Sequence, residues 1–136
     1  MPNWLISSLF ALFFFGLWGF FSKLALFHIT ARAALLMQSI GVLLVSLFLV
    51  KGIAFRELLH LKGANFGVLT GVAYGLGCLF YLMAADKGKL VTVVTLTALY
   101  PLITILCSFF WLNETITLKQ GFGVILALVA IVIMST

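Results

Sequence analysis

Five apolar runs, parted by short charged or polar breaks, leave this chain little choice but to fold across a membrane. They cover residues 4–27, 33–50, 64–85, 91–112 and 118–134. Each reaches or approaches the roughly 20 residues that a helix needs to cross ~30 Å of hydrocarbon. Of the 136 residues, 65% are hydrophobic and 8% charged, and the mean hydropathy is +1.32. A soluble globule of this length could not hide so much apolar surface. No run alternates as a membrane strand would, which argues against a β-barrel. The expected fold is an all-α integral membrane protein with five transmembrane helices in a single domain, 1–136.

The opening stretch MPNWLISSLFALFFF has no basic leader and no small-residue cleavage site, and its apolar run is too long for a signal peptide. It is expected to stay as the first span. The end, AIVIMST, carries no lipidation motif. Cys78 and Cys107 both fall inside spans, where they behave as small apolar residues, and no disulfide is expected. His28 and His60 stand at membrane edges without a cluster of ligands, so no metal is expected. The glycosylation sequon Asn113-Glu114-Thr115 sits in a five-residue loop against the membrane and reads as coincidence. No base, nucleophile or metal constellation is present, so the chain reads as neither an enzyme nor a cofactor carrier.

A net charge of +5 could suggest nucleic acid, but the basic residues are scattered over the span ends. In a five-span arrangement Lys51, Arg56, Lys62 and Lys119 fall on one face of the membrane. Arg32, Lys87, Lys89 and Lys23 fall on the other, four against four. The lysine and arginine bias that normally fixes orientation is therefore nearly absent. Either the chain inserts both ways or a partner decides.

The fourth run holds Pro101 at its middle. Proline has no amide to donate, and its ring pushes on the carbonyl four residues back, that of Thr97. In hydrocarbon such loosened backbone persists only where protein or a watery cavity satisfies it. At ~100° per residue, Thr97, Pro101, Thr104, Ser108 and Trp111 share a sector about 80° wide. That stripe is a candidate lining for a solute pathway. The plainer alternative is a tolerated kink whose hydroxyls bond back to their own helix.

Glu114 follows the same run. A negative charge at a helix end opposes the helix dipole, so Glu114 is expected to act as a structural clasp with Lys119, Arg56 or Lys62. Thr117-Leu118-Lys119-Gln120 reads as a capping box, with Thr117 at the N-cap and Gln120 at N3. In the third run Gly67, Gly71 and Gly75 recur every four residues, a pattern that lets helices approach closely. Tyr74 and Tyr81 lie in a neighbouring sector and could offer hydroxyls to a solute, or simply bond another helix. Gly123, Ala127 and Ala130 form a stripe on the last run, read as a helix or dimer contact away from the pathway. Lys23, inside the first run, either faces a cavity or snorkels to the interface. Trp18, on the other side of that helix, reads as packing. The 51–63 connection, KGIAFRELLHLKG, mixes apolar and basic residues as a short interfacial helix would.

Two stretches resemble the EamA-type repeat of the drug/metabolite transporter superfamily. One is WGFFSKLAL, Trp18–Leu26. The other is LYPLITILCSFFWLNETITLKQGFGVILALVA, Leu99–Ala130, where Pro101 precedes Glu114 by thirteen positions and Gln120 and Gly123 follow at the family's offsets. The usual glycine-glutamate-arginine turn reads Asn113-Glu114-Thr115, and Gln38 stands near the place of an arginine often found in the second span. The resemblance implies a single repeat of a ten-span inverted architecture. It further implies transport of a metabolite, amino acid or drug-like solute, completed by an antiparallel homodimer or a second half-transporter chain in a bacterial-type plasma membrane. It also tilts Lys23 toward the cavity. No acidic residue lies deep in a span, so carboxylate-based proton coupling is not expected. The competing reading is a membrane partner that transports nothing. Such a protein would not need the Thr104 and Ser108 stripe.

Overall fold

The computed structural model describes residues 3–52 and 60–135, and every regular element among them is helical. The chain divides into two compact units, Met1–Lys87 and Gly88–Thr136. The first holds α1 (Asn3–Leu26), α2 (Ala31–Leu49, prolonged by a 3-10 turn at Val50–Gly52) and α3 (Leu61–Lys87). The second holds α4 (Leu90–Thr97), α5 (Tyr100–Trp111) and α6 (Leu118–Ser135).

Four stretches are long and apolar enough to cross a membrane: Trp4–Leu26, Ala31–Gly52, Leu61–Lys87 and Leu90–Trp111. The last of these is α4 and α5 taken together. The apolar part of α6, Leu118–Ile133, is shorter. At 1.5 Å per residue it rises about 24 Å, which a locally thinned bilayer accommodates. The fold is thus an all-α, multi-pass membrane protein. Only 6–22% of the residues in each spanning window are buried inside the chain. The rest must be covered by lipid or by another subunit.

Hydroxyls within the spans are largely spent on their own helices. Ser8, Ser39, Ser46 and Thr70 each donate to the carbonyl four residues back, at 2.8–2.9 Å. This is the cheapest way to place a hydroxyl in hydrocarbon. The N-terminus of α2 is capped by Thr30, whose Oγ1 accepts the Ala33 amide at 3.4 Å.

In the first unit α1, α2 and α3 pack on one another. The buried residues gather where α1 ends, α2 begins and α3 ends. They are Gly19 and Ser22 of α1, Ala31 and Ala34 of α2, and Cys78, Tyr81, Leu82 and Ala85 of α3. Small residues predominate on α1 and α2, so the larger α3 side chains can enter. Every residue from Leu61 to Tyr74 is exposed. The three helices hold together at one end only. In the second unit α4 packs on α6. The interfacial helix expected in the 51–63 connection, and Arg56 with it, falls on residues 53–59, outside those described.

Candidate functional site

The fourth span is broken, and the break has a definite address. The Ala98 amide donates to the Val94 carbonyl at 2.9 Å and the Leu99 amide to the Leu96 carbonyl at 3.2 Å, which closes α4 with a tightened last turn. α5 then restarts at Tyr100 with Pro101 in its first turn. Proline suits that position, because the first amides of a helix have no intrahelical partner to lose. Pro101 is thus a helix-start residue, and the irregular backbone precedes it at Ala98–Leu99.

The break also divides the stripe. A sector counted at a constant ~100° per residue does not survive two residues that leave the helix. Thr97 donates to the carbonyls of Val93 and Val94, at 2.8 and 3.1 Å, and so serves its own helix. Pro101 lines a small apolar crevice of about 90 Å³ together with Ala98, Leu102, Val124 and Leu128. Trp111 is 79% exposed and lines neither this crevice nor the cleft described next.

Thr104 and Ser108 lie together in an open cleft of about 470 Å³ between α5 and α6. Its other walls are Ile105 and Phe109 of α5, Glu114, Thr115 and Ile116 of the connection, and Gln120, Gly123, Val124 and Ala127 of α6. Among the described residues, the Thr104 and Ser108 hydroxyls make no hydrogen bond to protein, unlike those of Thr95 and Thr97. The glycine at position 123 widens the cleft, since a Cβ added there would meet nothing within 4 Å. Ala127 lines the same wall, whereas Ala130 is exposed beyond it. Part of the stripe expected to lie away from any pathway therefore borders this cleft.

The connection that floors the cleft is tightly built. Asn113 has φ 52°, a left-handed conformation that asparagine tolerates better than most residues and that ends a helix well. The Ser108 carbonyl accepts the amides of Leu112 at 3.0 Å and Glu114 at 3.3 Å. At the start of α6 the Thr117 amide donates to Gln120 Oε1 at 3.0 Å, and the Gln120 amide to Thr117 Oγ1 at 3.3 Å. The two orphan amides satisfy one another's side chains, which is the geometry of a capping box. Glu114 makes no ion pair among the described residues. The amino end of α6, beginning just after it, supplies favourable polarity that a basic clasp would otherwise provide.

The first unit brings together residues that sequence separation hides. The Trp18 and Tyr81 rings lie 4.6 Å apart with a 36° tilt. Neither the Trp18 Nε1 nor the Tyr81 hydroxyl has a protein partner among the described residues, and both atoms are buried. Gly19 permits the approach, for a Cβ there would stand 3.2 Å from the Tyr81 oxygen. Lys23 Nζ donates to the Ala85 carbonyl, near the end of α3, and lies 5.8 Å from the Phe27 ring centre. Gln38 Nε2 donates to Tyr74 Oη at 3.1 Å and to Cys78 Sγ at 3.2 Å. Sequence reasoning assigned Gln38 no bond. The available signal was an amide in mid-span, which must find a partner in hydrocarbon. Among the described residues, nothing lies within 4 Å of a Cβ added at Gly67, Gly71 or Gly75.

Four helical stretches long enough to span, one of them interrupted beside a cleft, and a shorter fifth apolar helix define a multi-pass membrane protein. The chain belongs to the EamA-like transporter family, whose sequence model it matches over residues 2–136. Proteins of that family are membrane transporters of the drug/metabolite type rather than enzymes. An uncharacterized protein of Methanocaldococcus jannaschii is 27% identical over 137 residues, covering 99% of this chain and 98% of that protein. No solved structure matches the chain.

Proposed function

We propose that the chain is half of a transporter for a small organic solute, working by alternating access in the plasma membrane. Two copies, inserted in opposite senses, would together supply the ten spans of an inverted pair. A different half-transporter chain could take the place of the second copy. The observation that carries this reading is the cleft beside the broken span, where the Thr104 and Ser108 hydroxyls remain available while neighbouring hydroxyls are committed to their helices. A volume of about 470 Å³ suits a small solute. The balanced lysine and arginine distribution and the scant internal burial of each span agree with a partner that shares the membrane.

The test is transport in proteoliposomes against a panel of amines, amino acids and organic acids. The double replacement Thr104→Val and Ser108→Ala deletes both hydroxyls with little change in side-chain volume. Flux of any accepted solute should fall by about tenfold or more, the worth of one or two lost hydrogen bonds. Thermal stability should change little. Full flux in this variant, with the solute still saturating, removes the cleft from the pathway, whereas no flux of any solute by the parent chain favours a partner subunit that moves nothing itself.

A further inference from the structure

We infer that the cleft of the second unit selects a solute carrying a cationic, amine-type head on an apolar body. This deepens the transport reading and rests on it. The cleft wall contains one ionisable side chain, Glu114, and no lysine, arginine or histidine. The two lysines of this unit, Lys89 and Lys119, are not among the lining residues. Hydroxyl oxygens from Thr104 and Ser108 stand along one wall and can accept hydrogen bonds. Gln120 Oε1 is already taken by the Thr117 amide and hydroxyl, so the carboxamide is held in place by the cap. What the cleft offers a newcomer is therefore neutral hydroxyls, which accept as well as donate, the Gln120 carboxamide N–H groups, and one carboxylate with no cationic side chain beside it. The remaining walls, Phe109, Ile116 and Val124 among them, are apolar.

That combination answers a particular chemistry. An ammonium has three donors and no acceptor, and it gains most from a carboxylate with nearby hydroxyl oxygens. A carboxylate solute would meet like charge, with neutral donors but no cationic side chain in the lining to balance it. Lys23, the intramembrane cation of the first unit, gives a hydrogen bond to the Ala85 carbonyl. Glu114 would hold the head at the membrane edge while the apolar body lies along α5 toward Thr104.

Three probes with the same ring separate the possibilities: phenethylammonium, phenethyl alcohol and phenylacetate. Their binding to the full chain in lipid nanodiscs is measured by calorimetry. Phenethylammonium should bind at least about tenfold tighter than the alcohol, and phenylacetate weakest of all. Glu114→Gln should bring the ammonium to the level of the alcohol while leaving the alcohol unchanged, and Glu114→Asp should retain part of the preference. An unfolding curve of each variant shows that the change is local. Equal binding of ammonium and carboxylate, no ammonium binding at all, or indifference to Glu114→Gln overturns the inference. Counterflow of the same ammonium in proteoliposomes keeps the two readings apart. Binding that needs Glu114 without any flux leaves the cleft's selectivity standing and removes transport. Flux indifferent to Glu114 does the reverse.

Discussion

At the scale of single residues, the contact between Trp18, Gly19 and Tyr81 makes the sharpest claim about packing. Tyr81 is only 6% exposed, its ring stacks on Trp18, and its hydroxyl sits where a Cβ on residue 19 would press at 3.2 Å. A buried hydroxyl without a protein partner contributes nothing by hydrogen bonding and costs desolvation. Tyr81→Phe should therefore unfold at the same temperature as the parent or slightly above it. Gly19→Ala should destabilise by about 1–3 kcal/mol, the usual cost of overpacking. In the Gly19→Ala, Tyr81→Phe double variant most of that loss should return, because the atom in the way is gone. A thermal unfolding series over the four proteins reads this cycle directly. Simple additivity of the two changes would refute the contact. Lys23 teaches a related lesson. Cavity lining and snorkelling were both legible from its position, but bonding to a backbone carbonyl near the end of α3 was not. The acceptor lies 62 residues away, and nothing local in the chain announces it. Lysines commonly serve late helix carbonyls in this way.

Among the elements, the fourth span shows how far pattern carries and where it stops. That the span is interrupted followed from the proline alone, and the capping box at Thr117 and Gln120 from residue types at a fixed spacing. Both are local facts, governed by a few neighbouring residues. The position of the break was not legible, because proline can end one helix or begin the next with the same sequence around it. Here it begins α5, so the unsettled backbone falls at Ala98–Leu99 and the stripe loses Thr97 on one side. Which residues wall the cleft depended on how α5 and α6 face each other, and a single helix's periodicity is blind to that. Pro101→Ala tests the assignment. Alanine restores an amide that can donate to the Thr97 carbonyl, and α4 and α5 should merge into one rod. Hydrogen exchange at residues 98–102 should slow by about tenfold or more, as a fraying joint becomes helix interior. Unaltered exchange would mean that the two segments are held apart by their packing and not by the proline.

For the whole molecule, what matters is that the chain leaves so much of itself uncovered. The spanning windows bury no more than 22% of their residues internally, and α3 is exposed along its entire first half. Gly67 and Gly71 lie there and half-buried Gly75 just beyond, and a Cβ added at any of them would meet no atom of the described residues within 4 Å. In a bilayer, helices gain little by hiding apolar surface from lipid, so close contact through small residues is the main reason to associate. The same α3 carries Tyr74, 44% exposed and tied to Gln38, a polar group that lipid serves poorly. If this face seats a second copy, bulk placed on it should part the copies without harming the chain. Gly71→Leu adds a side chain where no atom lies within 4 Å, so the unfolding temperature of the isolated chain should hold. Dimerisation in liposomes, followed by energy transfer between labelled chains, should weaken by about tenfold or more. The same labels, placed at the termini and quenched from one side of intact cells, report orientation. Comparable labelling from both sides fits an antiparallel pair, in keeping with the near-even split of basic residues that the sequence predicts. A uniform orientation together with undiminished association in Gly71→Leu would show that the copies meet elsewhere, or that the missing half is a different chain.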